Sequence, residues 1–257
     1  MTTNLAHRFV FRELLRRELG ERYRNTLLGG GWYLVLPLLQ LAVLAWVFGS
    51  LLPARAQTSA PYGVFLALAL YPWGVFANAV ARSVTALVDN AALIGKIAIP
   101  HSLYILARVA ASVFVDLAGF ALVIVVVLLF GVKLAPAGVP AMFAGMAVIG
   151  LFALGVSRVL AVLQVFLRDV AAAIGQLLSL GFFITPIFYE REQLPLVAQH
   201  ALAFNPMTAP IEAIRHGLLG REVDWQALAM SAVVALLVIA LGSWLATRTR
   251  AHLEDFL

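Results

Sequence analysis

Long apolar runs constrain this chain more than any other feature. Six of them stand out: Trp32 to Leu52, Tyr62 to Val84, Leu103 to Phe130, Val139 to Phe166, Val170 to Tyr189 and Trp225 to Ala246. A helix needs about 20 mostly apolar residues to cross the hydrocarbon core of a bilayer. The spacing therefore predicts an all-α integral membrane protein with six transmembrane helices. With 63% hydrophobic and 12% charged residues and a mean hydropathy of +0.96, an ordinary soluble domain is excluded.

Between the last two runs the sequence is greasy but broken. Short apolar pieces around Leu194 to Phe204 and Met207 to Leu219 are interrupted by Glu190-Arg191-Glu192, Pro195, His200, Asn205-Pro206 and Pro210. Neither piece is long enough to cross a membrane. Irregular backbone at that depth survives only where protein buries it or water wets it. The segment from about 190 to 220 thus reads as a re-entrant helical hairpin beside a pathway.

The basic residues set the orientation. Arg8, Arg12, Arg16, Arg17, Arg22 and Arg24 crowd the N-terminal arm, and Arg82, Lys96, Arg108, Arg158, Arg168, Arg248 and Arg250 fall on or near the same side. The other side carries Arg55, Lys133, Arg191, Arg215 and Arg221. The positive-inside rule puts both termini in the cytoplasm and the hairpin outside. Residues 5 to 24, with Phe11, Leu14 and Leu15 at helical spacing and arginines around the rest, read as an interfacial helix on the cytoplasmic leaflet or as a plain positive anchor. The first 30 residues lack the apolar core and cleavage site of a signal peptide. The domain reading is an interfacial segment over 1–31 and a membrane domain over 32–257.

Several chemistries have no seat in the chain. There is no cysteine, which removes disulfides and thiolate chemistry. No glycine-rich phosphate loop occurs, since Gly95-Lys96 is followed by Ile97. Metal motifs, a serine-nucleophile elbow and paired carboxylates within a span are also missing, so no catalytic or metal-ligating residue is assigned and no cofactor is expected on this chain. The basic pI of about 10.0 reflects membrane-flanking arginines, and no basic stripe suits nucleic acid.

Ionisable residues inside spans are functional candidates by default. Asp116 in span three and Arg158 in the antiparallel span four are read as an ion pair across the two helices, the alternative being that Arg158 snorkels to the headgroups. Aromatics gather at Trp32, Tyr33, Trp46 and Phe48 in span one, at Tyr71, Trp73 and Phe76 in span two, and at Phe182, Phe183, Phe188 and Tyr189 at the end of span five. One reading is the aromatic belt of bilayer interfaces. The other is that those of spans one and five line a conduit in which sugar rings slide over flat apolar faces.

A set of separated motifs resembles one family. Arg22-Tyr23-Arg24 with Thr26, Leu28-Gly29, Trp32, Pro37 and Phe48-Gly49 are followed in order by Pro72-Trp73 with Phe76, Leu93-Ile94 with Lys96 and Pro100, and Arg168-Asp169. Thr185-Pro186-Ile187 with Tyr189, Leu194-Pro195, Asn205-Pro206-Met207, Arg215 with Gly220, and the terminal Glu254-Asp255-Phe256 complete the series. Together they resemble the membrane subunits of ABC-2 type transporters that export cell-surface polysaccharides. The chain departs from the pattern at Gly30-Gly31, which loosens the elbow before span one, and at His101, where an acidic or polar residue is usual.

The resemblance implies a homodimeric export permease in the bacterial inner membrane, working with two copies of a separate ABC ATPase subunit that holds ATP and Mg. Its substrate would be a lipid-linked polysaccharide such as O-antigen or teichoic acid; an exporter of drugs or small lipids shares the architecture. By the same likeness, the N-terminal helix with Arg12 and Arg16 and the Asp89 to His101 loop with Asn90, Lys96, Pro100 and His101 would meet the ATPase. Arg22 and Arg24 would hold the substrate's pyrophosphate or, alternatively, membrane phospholipid. Spans one and five would enclose the conduit and the hairpin would act as its outer gate.

Overall fold

A computed structural model of the chain describes residues 2–21, 31–47, 61–94 and 99–256. Among these residues every regular element is helical and there is no strand. In chain order the helices are α1 (Thr2–Glu21), α2 (Trp32–Trp46), α3 (Tyr62–Ser83), the single turn α4 (Ala91–Ile94), α5 (His101–Leu129), α6 (Val139–Phe166), α7 (Val170–Ile184), α8 (Leu196–Ala203), α9 (Thr208–Leu218) and α10 (Trp225–Phe256).

Among the described residues four stretches are long and apolar enough to cross a membrane: Tyr62–Ser83, His101–Leu129, Pro136–Phe166 and Trp225–Thr249. They coincide with predicted spans two, three, four and six. Span two runs continuously through Pro72. Predicted span five is shorter than expected. It ends at Ile184, and its 15 residues rise only about 22 Å. The stop is local chemistry: the ring of Pro186 disfavours helical backbone at Thr185, which is extended with ψ 140°. The Thr185 hydroxyl donates back to the Gly181 carbonyl at 2.8 Å, satisfying one end of the last turn. For span one, α2 accounts for Trp32 to Trp46, and most of the remainder lies outside the described residues.

Small residues bring the long helices together. A Cβ on Gly155 of α6 would stand 2.9 Å from the backbone nitrogen of Ile239, and one on Gly242 of α10 would stand 2.7 Å from the Arg158 Cβ. Without a hydrophobic drive between helices in lipid, such close backbone approach supplies the packing. The core is formed by α3, α5, α6 and α9, with Phe65, Leu68, Ile105, Ile149, Ile211 and Ile214 almost fully buried.

The broken segment folds as two unequal arms. In α8 only Leu202 is buried, whereas all of α9 except Ala209 and His216 is buried. The turn between them is held by Asn205, whose Oδ1 accepts from the Met207 amide at 3.0 Å and whose Nδ2 donates to Thr185 Oγ1 at 3.0 Å. Gly220, at φ +72°, closes α9: the Arg221 amide reaches back to the His216 carbonyl at 2.8 Å and the Gly220 amide to the Gly217 carbonyl at 3.1 Å. Thus the second arm is an interior element wedged beside α3 and α6, and the first arm is its exposed cover.

Candidate translocation cavity and coupling face

A cavity of about 730 Å³ lies between α2, α3 and α5 and is lined at one side by Phe182 of α7. Its aromatic wall combines Trp32, Tyr71, Trp73 and Phe182. Trp73 and Phe182 approach to 6.4 Å between ring centroids, Phe182 meets Phe188 edge-on at 5.1 Å, and Phe183 stacks near Phe188 at 6.2 Å. These separations suit mutual aromatic packing. A line of rings therefore leads from the cavity to the segment between α7 and the hairpin.

Of the predicted conduit aromatics, Trp32 and Phe182 line the cavity and Phe183 and Phe188 continue its ring series. Tyr189 folds back, its hydroxyl donating toward the carbonyls of Phe183 at 3.3 Å and Ile184 at 3.2 Å. Trp46 faces outward, 65% exposed; Tyr33 sits in α2, and Phe48 lies outside the described residues. Tyr71 and Trp73, in span two, belong to the cavity as well, which makes α3 a wall the sequence reading leaves out. The hint was present in the Tyr71-Pro72-Trp73 run, but nothing local distinguishes a cavity wall from an interface belt.

Asp116 and Arg158 do not pair. Asp116 lines the cavity from α5, with the Ser112 hydroxyl 3.4 Å from its Oδ2. Arg158 turns the other way and donates from Nη1 to Ser243 Oγ of α10 at 2.8 Å. Two things separate them. Counted from the α1 end of the bundle, Asp116 lies about 22 Å along α5 and Arg158 only about 12 Å along α6. The Gly155 and Gly242 contacts also commit the Arg158 face of α6 to α10.

At the α1 end, an ion-pair cluster joins three elements. Arg108 of α5, 8% exposed, donates from Nε to Glu18 Oε1 of α1 at 3.0 Å and from Nη1 to Asp89 Oδ2 at 2.5 Å. Glu18 is itself 4% exposed, and Arg82 of α3 stands 4.0 Å from its second oxygen. Arg17 donates to Asn90 Oδ1, and Asn90 Nδ2 donates to the Ala86 carbonyl at 2.8 Å. The inward face of α1 is therefore Leu14, Arg17 and Glu18, resting on α5 and the turn after α3. The predicted coupling residues divide accordingly. Arg12 and Arg16 point outward, Asn90 is buried within the cluster, Pro100 is exposed, and His101 is half-buried beside a smaller cavity with Arg158 and Ser243. Lys96, Arg22 and Arg24 lie outside the described residues.

The hairpin end carries a second charged group. Arg215 is fully buried, with its guanidinium carbon 4.0 Å from the centroid of the Phe65 ring and its Nη1 donating to the Pro186 carbonyl at 2.9 Å. Glu212, one turn earlier, is pushed up to about 7 by burial, an effect that Arg191 and Arg215 only partly offset. Arg191 stands 3.8 Å from its Oε1, too far for a hydrogen bond. Arg221 pairs with Glu190 at 3.0 Å. Among the described residues no cluster of His, Asp or Glu has a geometry fit to hold a metal ion.

Comparison with known proteins joins these observations to a family. The family model for the ABC-2 type transporter matches residues 10–219, which take in the C-terminal part of α1, the cavity, the ion-pair cluster and the hairpin. The chain is 24% identical over 246 residues to a Klebsiella pneumoniae protein named O-antigen export system permease protein RfbA, covering 94% of this chain and 93% of that one. A second Klebsiella pneumoniae protein of the same name is 22% identical over the same coverage. A Myxococcus xanthus protein, also of that name, is 27% identical over 208 residues, covering 79% of this chain and 77% of the relative. The chain, an all-helical membrane protein, belongs to the ABC-2 type transporter family.

Proposed function

We propose that this chain is the membrane permease of an ATP-driven exporter that carries a lipid-linked cell-surface polysaccharide, O-antigen foremost, out of the cytoplasm. The observation that carries this reading is the aromatic-walled cavity between α2, α3 and α5 with its ring series running toward the hairpin. Flat apolar rings make weak, sequence-tolerant contacts with successive sugars, which suits a polymer that must slide. The near full-length likeness to proteins named for O-antigen export supports the substrate class.

In this reading the protein has six spans, its termini are cytoplasmic and it sits in the bacterial inner membrane. Two copies form the conduit. The outward apolar residues of α2 and α7, including Val35, Leu38, Leu177 and Leu180, supply faces for the second copy. Two copies of an ABC ATPase dock where Arg12 and Arg16 of α1, Pro100 and His101 are presented; ATP and Mg belong to that subunit, and this chain has no catalytic role. Closure of the ATPase pair moves α1, and the Glu18–Arg108–Asp89 cluster passes the movement to α5. Arg22 and Arg24 hold the pyrophosphate of the lipid carrier as it enters. The hairpin forms the outer gate.

Deletion of the gene tests the reading. The expected result is loss of surface polysaccharide with accumulation of lipid-linked polymer inside the cell, restored by the intact chain. Normal surface polysaccharide, with a drug or small-lipid export defect instead, would replace it with the other ABC-2 reading.

A further inference from the structure

Arg158 is a charge without a counter-charge. Ser243 Oγ accepts from its Nη1 at 2.8 Å and gives its own hydrogen to the Ile239 carbonyl at 2.8 Å, so the serine orients the guanidinium without neutralising it. The Nε–H is buried with no acceptor, and among the described residues no carboxylate pairs with the group. Other arginines are treated differently: Arg108 meets Glu18 and Asp89, and Arg221 meets Glu190. A cation taken out of water is costly unless an anion is brought to it.

The side chain lines a cavity of about 260 Å³ between the first turns of α5, the second half of α6 and the last turns of α10. The wall is divided. Ser102, Arg158, Ser243 and Thr247 supply polar groups, whereas Ile105, Val162 and Leu253, all almost fully buried, form a fixed apolar surface. Among the described residues no acidic side chain lines it. Its depth also matters. The 29 residues of α5 rise about 43 Å, close to the full thickness of a bilayer with its headgroups, so Ser102 stands at a membrane face. Arg158 lies about 12 Å in from the same end of α6, within reach of the phosphate layer for so long a side chain.

A free phosphate would use the guanidinium and leave the apolar half of the cavity unfilled. A lipid uses both halves. The geometry points to a phospholipid site, with the phosphate on Arg158 and the Ser102 hydroxyl, and the glycerol and first acyl carbons against Ile105, Val162 and Leu253. The lipid supplies the counter-charge that the chain withholds and bridges the start of α5 to the end of α10. This site is separate from the pyrophosphate role proposed for Arg22 and Arg24, and it does not rest on which substrate is exported.

The test titrates the purified, delipidated full chain in detergent and counts bound lipid by native mass spectrometry. Wild type is expected to hold phosphatidylglycerol and to release diacylglycerol with the same acyl chains. Arg158→Gln should weaken phosphatidylglycerol by about tenfold, the loss of hydrogen bonds to a charged group. Thr247→Phe, at an exposed position on the cavity wall, should weaken it while keeping the guanidinium, and it decides the matter where the Arg158→Gln chain does not fold. Arg248→Gln should bind as wild type, because that arginine lies over the Trp244 ring and does not line the cavity. Equal retention of diacylglycerol, wild-type affinity in Arg158→Gln or Thr247→Phe, or equal weakening by Arg248→Gln overturns the proposal. Displacement of phosphatidylglycerol by equimolar inorganic phosphate overturns it in favour of a free-phosphate site, and displacement by an equimolar polyprenyl phosphate overturns it in favour of a carrier site.

Discussion

Arg108 Nε donates to Glu18 Oε1 across 3.0 Å, linking α5 to α1 over 90 residues of sequence. Both side chains are almost out of solvent, and Asp89 holds the other side of the same guanidinium. A buried pair of this kind is a weak source of net stability but a strong constraint, because removing one partner strands a charge at a cost of about 3–5 kcal/mol. Glu18→Ala is therefore expected to loosen α1 and to lower the thermal stability of the detergent-solubilised protein. Exchanging the charges, Glu18→Arg with Arg108→Glu, should recover part of the loss. A melting temperature unmoved by Glu18→Ala would remove the cluster from the account.

Gly217 controls how closely α9 approaches the start of α6. A Cβ there would stand 2.9 Å from that of Ala141 and 3.2 Å from the Gly138 carbonyl oxygen, a contact between rigid backbones that has no side chain to swing aside. Gly217→Ala should destabilise by about 1–3 kcal/mol through overpacking, and Gly217→Val by more. Paired thermal melts of the two variants check the order.

Glu212 predicts a pH dependence. Its carboxyl is raised to about 7 from an ordinary 4.5, so the fold prefers it protonated. That contribution is complete below about 4.5 and is lost as pH rises through about 7. Glu212→Gln should consequently match wild type in stability at pH 4.5 and exceed it at pH 8.5, by about 3–6 °C in melting temperature. Equal stability of the two chains at pH 8.5 would mean that the charged carboxylate finds compensation in the hairpin.

Much of the fold was legible because its signals are local. The length of an apolar run fixes a span, and Pro61, Pro100 and Pro136 mark where helices can start, so spans two, three and four match the observed helices within two residues. The break into two short helices, α8 and α9, was legible for the same reason, through Pro195 and Asn205-Pro206. What stayed hidden was rotation about helix axes. Depth along a span can be counted, but the direction in which Asp116 or Arg158 points depends on which neighbour the glycines admit. The burial of Glu18 was hidden too, since its partner Arg108 is distant in sequence and the arginines around α1 suggest a lipid surface. Nor does an aromatic residue announce whether it meets lipid or a cavity: Trp46 and Trp73 look alike in sequence, yet one is 65% exposed and the other 7%.

The cavity between α2, α3, α5 and α7 is proposed to carry a polysaccharide under the control of a partner ATPase. Inverted inner-membrane vesicles containing this chain and its ATPase, supplied with radiolabelled lipid-linked polysaccharide, test it most directly. The expected result is ATP-dependent protection of the polymer inside the vesicles, reduced by about tenfold or more when Trp73 and Phe182 are both replaced by alanine in a chain that still inserts. Polymer that stays accessible outside the vesicles while ATP is hydrolysed, or transport indifferent to the loss of both rings, would contradict it.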